Sequence, residues 1–213
     1  MPSHGHFSDD ETAGDGFGEA GVNGKRFPAS QAQRLEDPER LVWLPPTEIL
    51  AALVLSPGQT IADVGAGTGY FALPLAHMVG PNGIVYAVDA QEEMLEWIAA
   101  KIQRAGQKNI VLVHSEASGT TLPSASCDLY FTANVWHELD DREAVLLEAK
   151  RVLKSTGRIA ILDWRPDVER IGGPPIDHRI TTSDVQSKLQ ESGFSNTRST
   201  HVGLYSWLVQ AES

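Results

Sequence analysis

A chain of 213 residues with 41% apolar and 21% charged side chains can bury a sizeable core and has the composition of an ordinary soluble domain. Its formal net charge of -11, with no basic stripe in view, disfavours a nucleic-acid surface, because phosphate binding needs clustered Lys and Arg. The single cysteine, Cys127, excludes an intramolecular disulfide and a cysteine-based metal centre, and reads as a small buried hydrophobe.

Residues 1–26 are rich in Gly, Asp, Glu and Ser without period, which predicts a disordered or loosely attached tail. His4 and His6 within it read as solvated rather than as metal ligands. Acids stand where a signal peptide would place bases, and no apolar run reaches membrane-spanning length, so a cytoplasmic location is the default expectation. Residues 27–213 are expected to form one domain, with 27–56 as a helical cover and 57–213 as its core. In the cover, Arg34 to Arg40 reads as a short helix over a ligand cleft or as plain surface packing. Pro45-Pro46 opens a helix with Ile49, Leu50 and Leu53 on one face.

Ile61 to Val64 then reads as a buried strand, Gly65, Gly67 and Gly69 as a tight turn, and an apolar helical pattern begins at Tyr70. Strand, glycine turn and helix N-terminus together predict backbone N–H groups facing a ligand. Ile84 to Asp89 is a second strand. A helix from Gln91 carries Met94, Ile98 and Ile102 and stops at Gly106, and Asn109 to His114 is a third strand. Cys127 to Ala133 makes a fourth. Asp140 and Glu143 are spaced as a capping box before a helix bearing Val145, Leu146, Ala149, Val152 and Leu153. Ser155 to Gly157 turns into a fifth strand, Arg158 to Trp164. After an irregular loop, Arg165 to Arg179, Thr181 caps a helix that Gly193 ends. Strands Ser195 to His201 and Leu204 to Ala211 meet at Val202-Gly203 and must run antiparallel.

The glycine spacing is not that of a dinucleotide turn, G-x-G-x-x-G. Asp63 two residues ahead of Gly65, with Gly67 and Gly69 following, makes D-x-G-x-G-x-G. With Asp89, Asn134 and the Arg151 to Gly157 turn in register, the chain from Pro45 to Phe194 resembles class I S-adenosylmethionine-dependent methyltransferases. The resemblance is to the small type-eleven group related to the quinone C-methyltransferases. It implies an α/β Rossmann-like fold with a seven-stranded, mostly parallel sheet in order 3-2-1-4-5-7-6, strand 7 antiparallel, and helices on both faces. It implies S-adenosylmethionine as cofactor, with Asp63, Gly65, Gly67, Gly69 and Tyr70 around the methionine end. Asp89 would hold the ribose, a role in which an acid accepts from both hydroxyls, and it doubles as a cap for the next helix. Ala90, Glu116 and the Ala117 N–H would surround the adenine, although the family usually has Asp where Glu116 stands. Asn134 would contact the methionyl portion.

The acceptor side falls on Asn134-Val-Trp-His-Glu-Leu-Asp140 and on Asp163-Trp164. His137 reads as a general base or as a residue that orients the loop. Asp163 is a candidate for binding acceptor or proton, and Trp136 and Trp164 for walls of the cleft. Pro174 to His178 and the N-terminal segment are candidates for the outer walls. No zinc site is expected, since His137-Glu138 lacks a second histidine four residues on. The stretch after Asn134 has neither proline of the nucleobase- and glutamine-methylating enzymes, and one cysteine is too few for arsenite methylation. A small-molecule acceptor is therefore expected, with no nucleic acid and no membrane span. Two other readings use the same residues: a cofactor-sensing module without turnover, and a nicotinamide-dependent oxidoreductase.

Overall fold

The computed structural model describes residues 26–169 and 173–213; the expected tail with His4 and His6, apart from Arg26, lies outside them. The strands are β1 (Thr60–Val64), β2 (Ile84–Asp89), β3 (Ile110–His114), β4 (Cys127–Ala133), β5 (Leu153–Trp164), β6 (Ser195–Val202) and β7 (Ser206–Glu212). They form one sheet of order β3-β2-β1-β4-β5-β7-β6. β1 pairs in parallel with β2 and β4, β2 with β3, and β4 with β5, while β7 runs antiparallel to both β5 and β6. This is the order the resemblance implied.

Period-two alternation decides what each face carries. Ile61, Val85, Ala87, Leu129, Phe131, Ala160 and Leu162 face a core layer built with helices α2 (Pro46–Leu53), α3 (Ala72–Val79) and α4 (Glu92–Ala105). Their neighbours Ala62, Val64, Tyr130, Ile159 and Ile161 face the opposite layer, closed by α5 (Arg142–Val152) and α6 (Thr182–Glu191). Central strands buried on both faces read as near-continuous apolar runs. The edge strand β6 is exposed along most of its length and carries Ser, Asn, Thr, Arg and His, which blunts it against pairing with another chain.

Several boundaries differ from expectation, each for a local reason. The helix after the glycine turn starts at Ala72 rather than Tyr70, because residues 68–71 complete the turn. The capping box at Asp140 and Glu143 does not form; the cap is Asp141, whose side chain accepts from the Ala144 N–H at 2.9 Å. β5 already begins at Leu153, and the expected turn at Ser155 to Gly157 runs within the strand, where pairing with β4 slips between Cys127 and Leu129. The β6–β7 turn is three residues, closed by the Val202–Ser206 pair. Arg34 to Arg40 is not one helix. A 3-10 segment spans Ala29–Glu36, and a single helical turn, α1 (Arg40–Trp43), follows it.

Candidate active site

The carboxyl ends of β1, β2, β4 and β5 converge where the strand order reverses between β1 and β4, the usual place for a ligand in such sheets. The glycine turn sits there, but four of its amides are already taken. The N–H groups of Gly65 and Ala66 both donate to the Val88 carbonyl, at 2.9 and 3.0 Å, and that of Gly69 donates to Ala66 O at 2.9 Å. The Gly67 N–H donates to Asp89 Oδ2 at 2.8 Å. The glycines serve close approach instead: Gly65 has φ +74°, and a Cβ there would overlap the Val135 side chain.

What the turn leaves unpaired is of the opposite polarity. Asp63 is 2% exposed, and its Oδ2 has no hydrogen-bond partner; Thr68 Oγ1 and Asn134 Oδ1 are equally orphaned and buried. Buried polar atoms are nearly always satisfied, so these three oxygens, two of them acceptors and one a hydroxyl that can also donate, are candidates for contact with a polar ligand. Asn134 also holds φ +57° at the end of β4, where its N–H donates to Leu162 O at 2.8 Å. Burial, then repulsion from Asp89, pushes the Asp63 carboxyl up to about 7 against the pull of Arg40. Once ionised, a buried carboxylate with a free oxygen suits a cationic group such as the α-ammonium of S-adenosylmethionine. It does not suit a pyrophosphate, which would need the amides that Val88 and Asp89 already occupy.

Asp89 is 8% exposed. Besides Gly67, it accepts from the Gln91 N–H at 3.0 Å through Oδ1, so it braces the turn against the start of α4. Its carboxyl is pushed up by burial, against backbone hydrogen bonds that pull it down. The Ala90 carbonyl lies 3.0 Å from His114 Nε2, and Ala117 O accepts from Tyr130 Oη at 3.1 Å. Glu116 is more than half exposed and forms an ion pair of 2.8 Å with Arg26. Tyr70 donates its hydroxyl to Leu44 O at 2.7 Å, tying the turn to the cover.

On the acceptor side His137 follows β4 in a short 3-10 turn, Trp136–Glu138. Its Nδ1 lies 2.8 Å from Asp163 Oδ1, and its backbone N–H donates to Oδ2 of the same carboxylate at 2.9 Å. Asp163 also accepts from the Trp164 N–H, so it cannot turn away. As the carboxylate accepts, Nδ1 carries the proton and Nε2 is the acceptor. Burial works against a charged imidazole, but the Asp163 charge and hydrogen bond, with Glu138, outweigh it, and the His137 pKa is raised. Burial pushes Glu138 up to about 7, with His137 opposing; Glu138 Oε2 accepts from the Phe27 N–H at 3.2 Å.

Trp136 is not a wall. It is 1% exposed, packed in the core layer under α5, and its carbonyl accepts from Arg142 Nε at 3.0 Å. Trp164 is itself 5% exposed and stacks on Trp43, with ring centroids 4.9 Å apart and planes at 23°. Sequence reasoning did not single out Trp43 or Thr68, and it named Arg40 and Glu138 only within the Arg34 to Arg40 and Asn134 to Asp140 segments. Thr68 had a signal, its place inside the glycine turn. Trp43 and Arg40 lie in a stretch without period, and only the chain's path brings them here. Among the described residues no cluster of His, Cys, Asp or Glu is arranged for a metal ion, and no helix is long and apolar enough to cross a membrane.

A family profile, "Methyltransferase domain", matches residues 62–161. A ubiquinone/menaquinone biosynthesis C-methyltransferase of Caulobacter vibrioides is 35% identical over 130 residues, covering 57% of this chain and 50% of the relative. A demethylmenaquinone methyltransferase of Geobacillus kaustophilus is 31% identical over 116 residues, covering 54% of this chain and 50% of the relative. The chain thus spans about half the length of the curated relatives it matches. The crystal structure of a SAM-dependent methyltransferase from Aquifex aeolicus superimposes with a TM-score of 0.82 at 36% identity, over 87% of this chain and 98% of the other.

Proposed function

This chain belongs to the S-adenosylmethionine-dependent methyltransferases, and on that premise we propose that it methylates a small-molecule acceptor, with His137 as the general base. The observation that supports the cofactor side is the polarity of the glycine turn: the N–H groups of Gly65, Ala66, Gly67 and Gly69 are internally consumed, while Asp63, Thr68 and Asn134 present buried oxygens without partners. That arrangement favours a cation over a dinucleotide phosphate and counts against the oxidoreductase reading.

S-adenosylmethionine, when bound, supplies a methyl group on a sulfonium that leaves by in-line displacement. The chain's own task is alignment and exclusion of water, worth up to about 7–11 kcal/mol in favourable systems, and removal of one proton. Asp163 fixes the imidazole with Nδ1 protonated, so Nε2 can take the acceptor's proton and Asp163 stabilises the imidazolium that results. The relatives named for ubiquinone, menaquinone and demethylmenaquinone make hydroquinone-type acceptors the first to try.

The test is release of S-adenosylhomocysteine on incubation with S-adenosylmethionine and acceptor pools, reduced quinone precursors included. A sensing module binds the cofactor and releases no product with any pool. Replacing His137 with Ala is expected to slow turnover by about 100- to 10,000-fold, with S-adenosylhomocysteine affinity preserved. Unchanged turnover removes His137 from the mechanism.

A further inference from the structure

A base that takes a proton in every turnover has to lose it again before the next. For His137 that proton sits on Nε2, on a side chain only 10% exposed. Asp163 does not receive it. That carboxylate lies at Nδ1 and already accepts from the ring and from the backbone N–H groups of His137 and Trp164. The carboxylate oxygen beside Nε2 is Glu138 Oε1, at 3.9 Å. Its sister oxygen Oε2 is fixed by the Phe27 N–H at 3.2 Å, and Phe27 is held in turn, its carbonyl accepting from Gln91 Nε2 at 2.9 Å. Holding Phe27 needs an acceptor but no charge, so a glutamine would serve. The chain nevertheless buries an acid here, with no Lys or Arg in ion-pair contact with it among the described residues; Arg26 pairs with Glu116 instead. A buried acid without a cationic partner is costly unless its titration is used.

Resting on the methyltransferase reading above, we infer that Glu138 carries the proton from His137 Nε2 out to solvent, so that the two side chains work as a relay. In the transfer the acceptor forms its bond to the methyl group, the carbon–sulfur bond breaks with its electron pair on sulfur, and the acceptor's proton goes to Nε2. The Nε2 proton then passes to Glu138 Oε1 and from there to water, which returns both groups to their starting state with one proton freed per turnover. At 3.9 Å the two atoms are beyond direct hydrogen bonding. A water to one side of the line between them can bond both and close the gap. Burial pushes the Glu138 carboxyl up to about 7; His137, the Phe27 N–H and Arg26 pull it down, and Asp163 pushes it up. On the imidazole, Arg142 opposes the charge that Asp163 and Glu138 favour. An acid and a base both poised near neutral pH exchange a proton readily in either direction. Glu138, with its side chain 15% exposed, is the more open of the two.

The test is Glu138→Gln in the full chain, which keeps an oxygen for the Phe27 N–H and removes the titrating site. S-adenosylhomocysteine release is followed against pH with naphthohydroquinone as the acceptor. In the variant kcat is expected to fall by about tenfold or more, with KM for S-adenosylmethionine unchanged. Added imidazole, a small base that can take the Nε2 proton, should restore part of the variant's rate and leave the unaltered protein's rate alone. Unchanged kcat, or a fall that imidazole does not reverse, makes Glu138 a link to the cover only and overturns the relay. A second measurement needs no acceptor: titration of the His137 ring nitrogens by NMR. In the unaltered protein the ring is expected to titrate in two steps shared with Glu138, and in Glu138→Gln in a single step lowered by about one pH unit. Identical ring titrations in the two proteins overturn the relay whatever the rates. No product from the unaltered protein with this or any other acceptor defeats the functional reading itself, whereas turnover indifferent to Glu138→Gln defeats the relay alone.

Discussion

Asp63 has one oxygen without a partner and a carboxyl pushed up to about 7, and its proton must leave before it can hold an ammonium. Below that pH cofactor binding therefore releases a proton, and affinity rises with pH. Titration calorimetry from about pH 5.5 to about pH 7 is expected to show tightening S-adenosylmethionine binding, before the ligand's own amine begins to deprotonate. Asp63→Asn should bind at least about tenfold more weakly and with a flat profile. The same shift sets a stability effect of fixed sign. The folded state holds a proton that the unfolded chain has already lost between about pH 4 and about pH 7. This contribution to stability is full at low pH and fades as pH rises through about 7. Urea melts across that window should fall more steeply for the native sequence than for Asp63→Asn. Gly65 is a separate case: φ +74° and the Val135 side chain both oppose a Cβ. Gly65→Ala is expected to cost about 1–3 kcal/mol in chemical denaturation, and Val135→Ala in the same chain should recover part of it.

At the scale of single elements, caps and links decide what stays in place. α5 starts at Asp141, not at the sequence-spaced pair Asp140 and Glu143, because Asp141 reaches the Ala144 amide. Asp141→Ala should cost about 1 kcal/mol in urea melts; an unchanged melting midpoint would remove Asp141 as the cap. The buried Glu148 of the same helix accepts from the Thr120 N–H at 2.8 Å and from Arg151 at 2.7 Å. It thereby pins the loop between β3 and β4 onto α5, and its carboxyl is held below the usual range by Arg151, against burial. The first part of the cover, residues 26–36, is attached differently from Leu44, Ile49, Leu50 and Leu53, which belong to the apolar core. Polar contacts join Arg26 to Glu116, the Phe27 amide to Glu138, Ala29 to Gln91, and Glu36 to Lys101. Ion pairs and single hydrogen bonds on a surface hold loosely compared with apolar packing.

Across the whole molecule two rigid layers of apolar packing enclose the sheet, and the polar-linked cover lies over the carboxyl end. Amide exchange is therefore expected to be slowest in β1, β4 and β5 and fast over residues 26–44. Those cover amides should gain the most protection when S-adenosylhomocysteine is added; protection gained only in the strands would detach the cover from the ligand. The amino-acid order alone determined the strand and helix succession, the acid-led glycine turn and the reversed final strand. Each of these rests on local periodicity, chirality and turn chemistry that short stretches carry by themselves. It also offered Asp63, Asp89, Asn134, His137 and Asp163 as candidates, and these sit at strand ends or beside them, where topology sends them to one edge. Only the tertiary structure decided that Trp136 is core, that Trp43 stacks on Trp164, that the N–H groups of Gly65, Ala66, Gly67 and Gly69 are taken up within the fold, and that Arg40 is buried against Tyr70. Those outcomes depend on where a stretch without period crosses the sheet, and on which atoms remain unpaired after the backbone has satisfied its own hydrogen bonds.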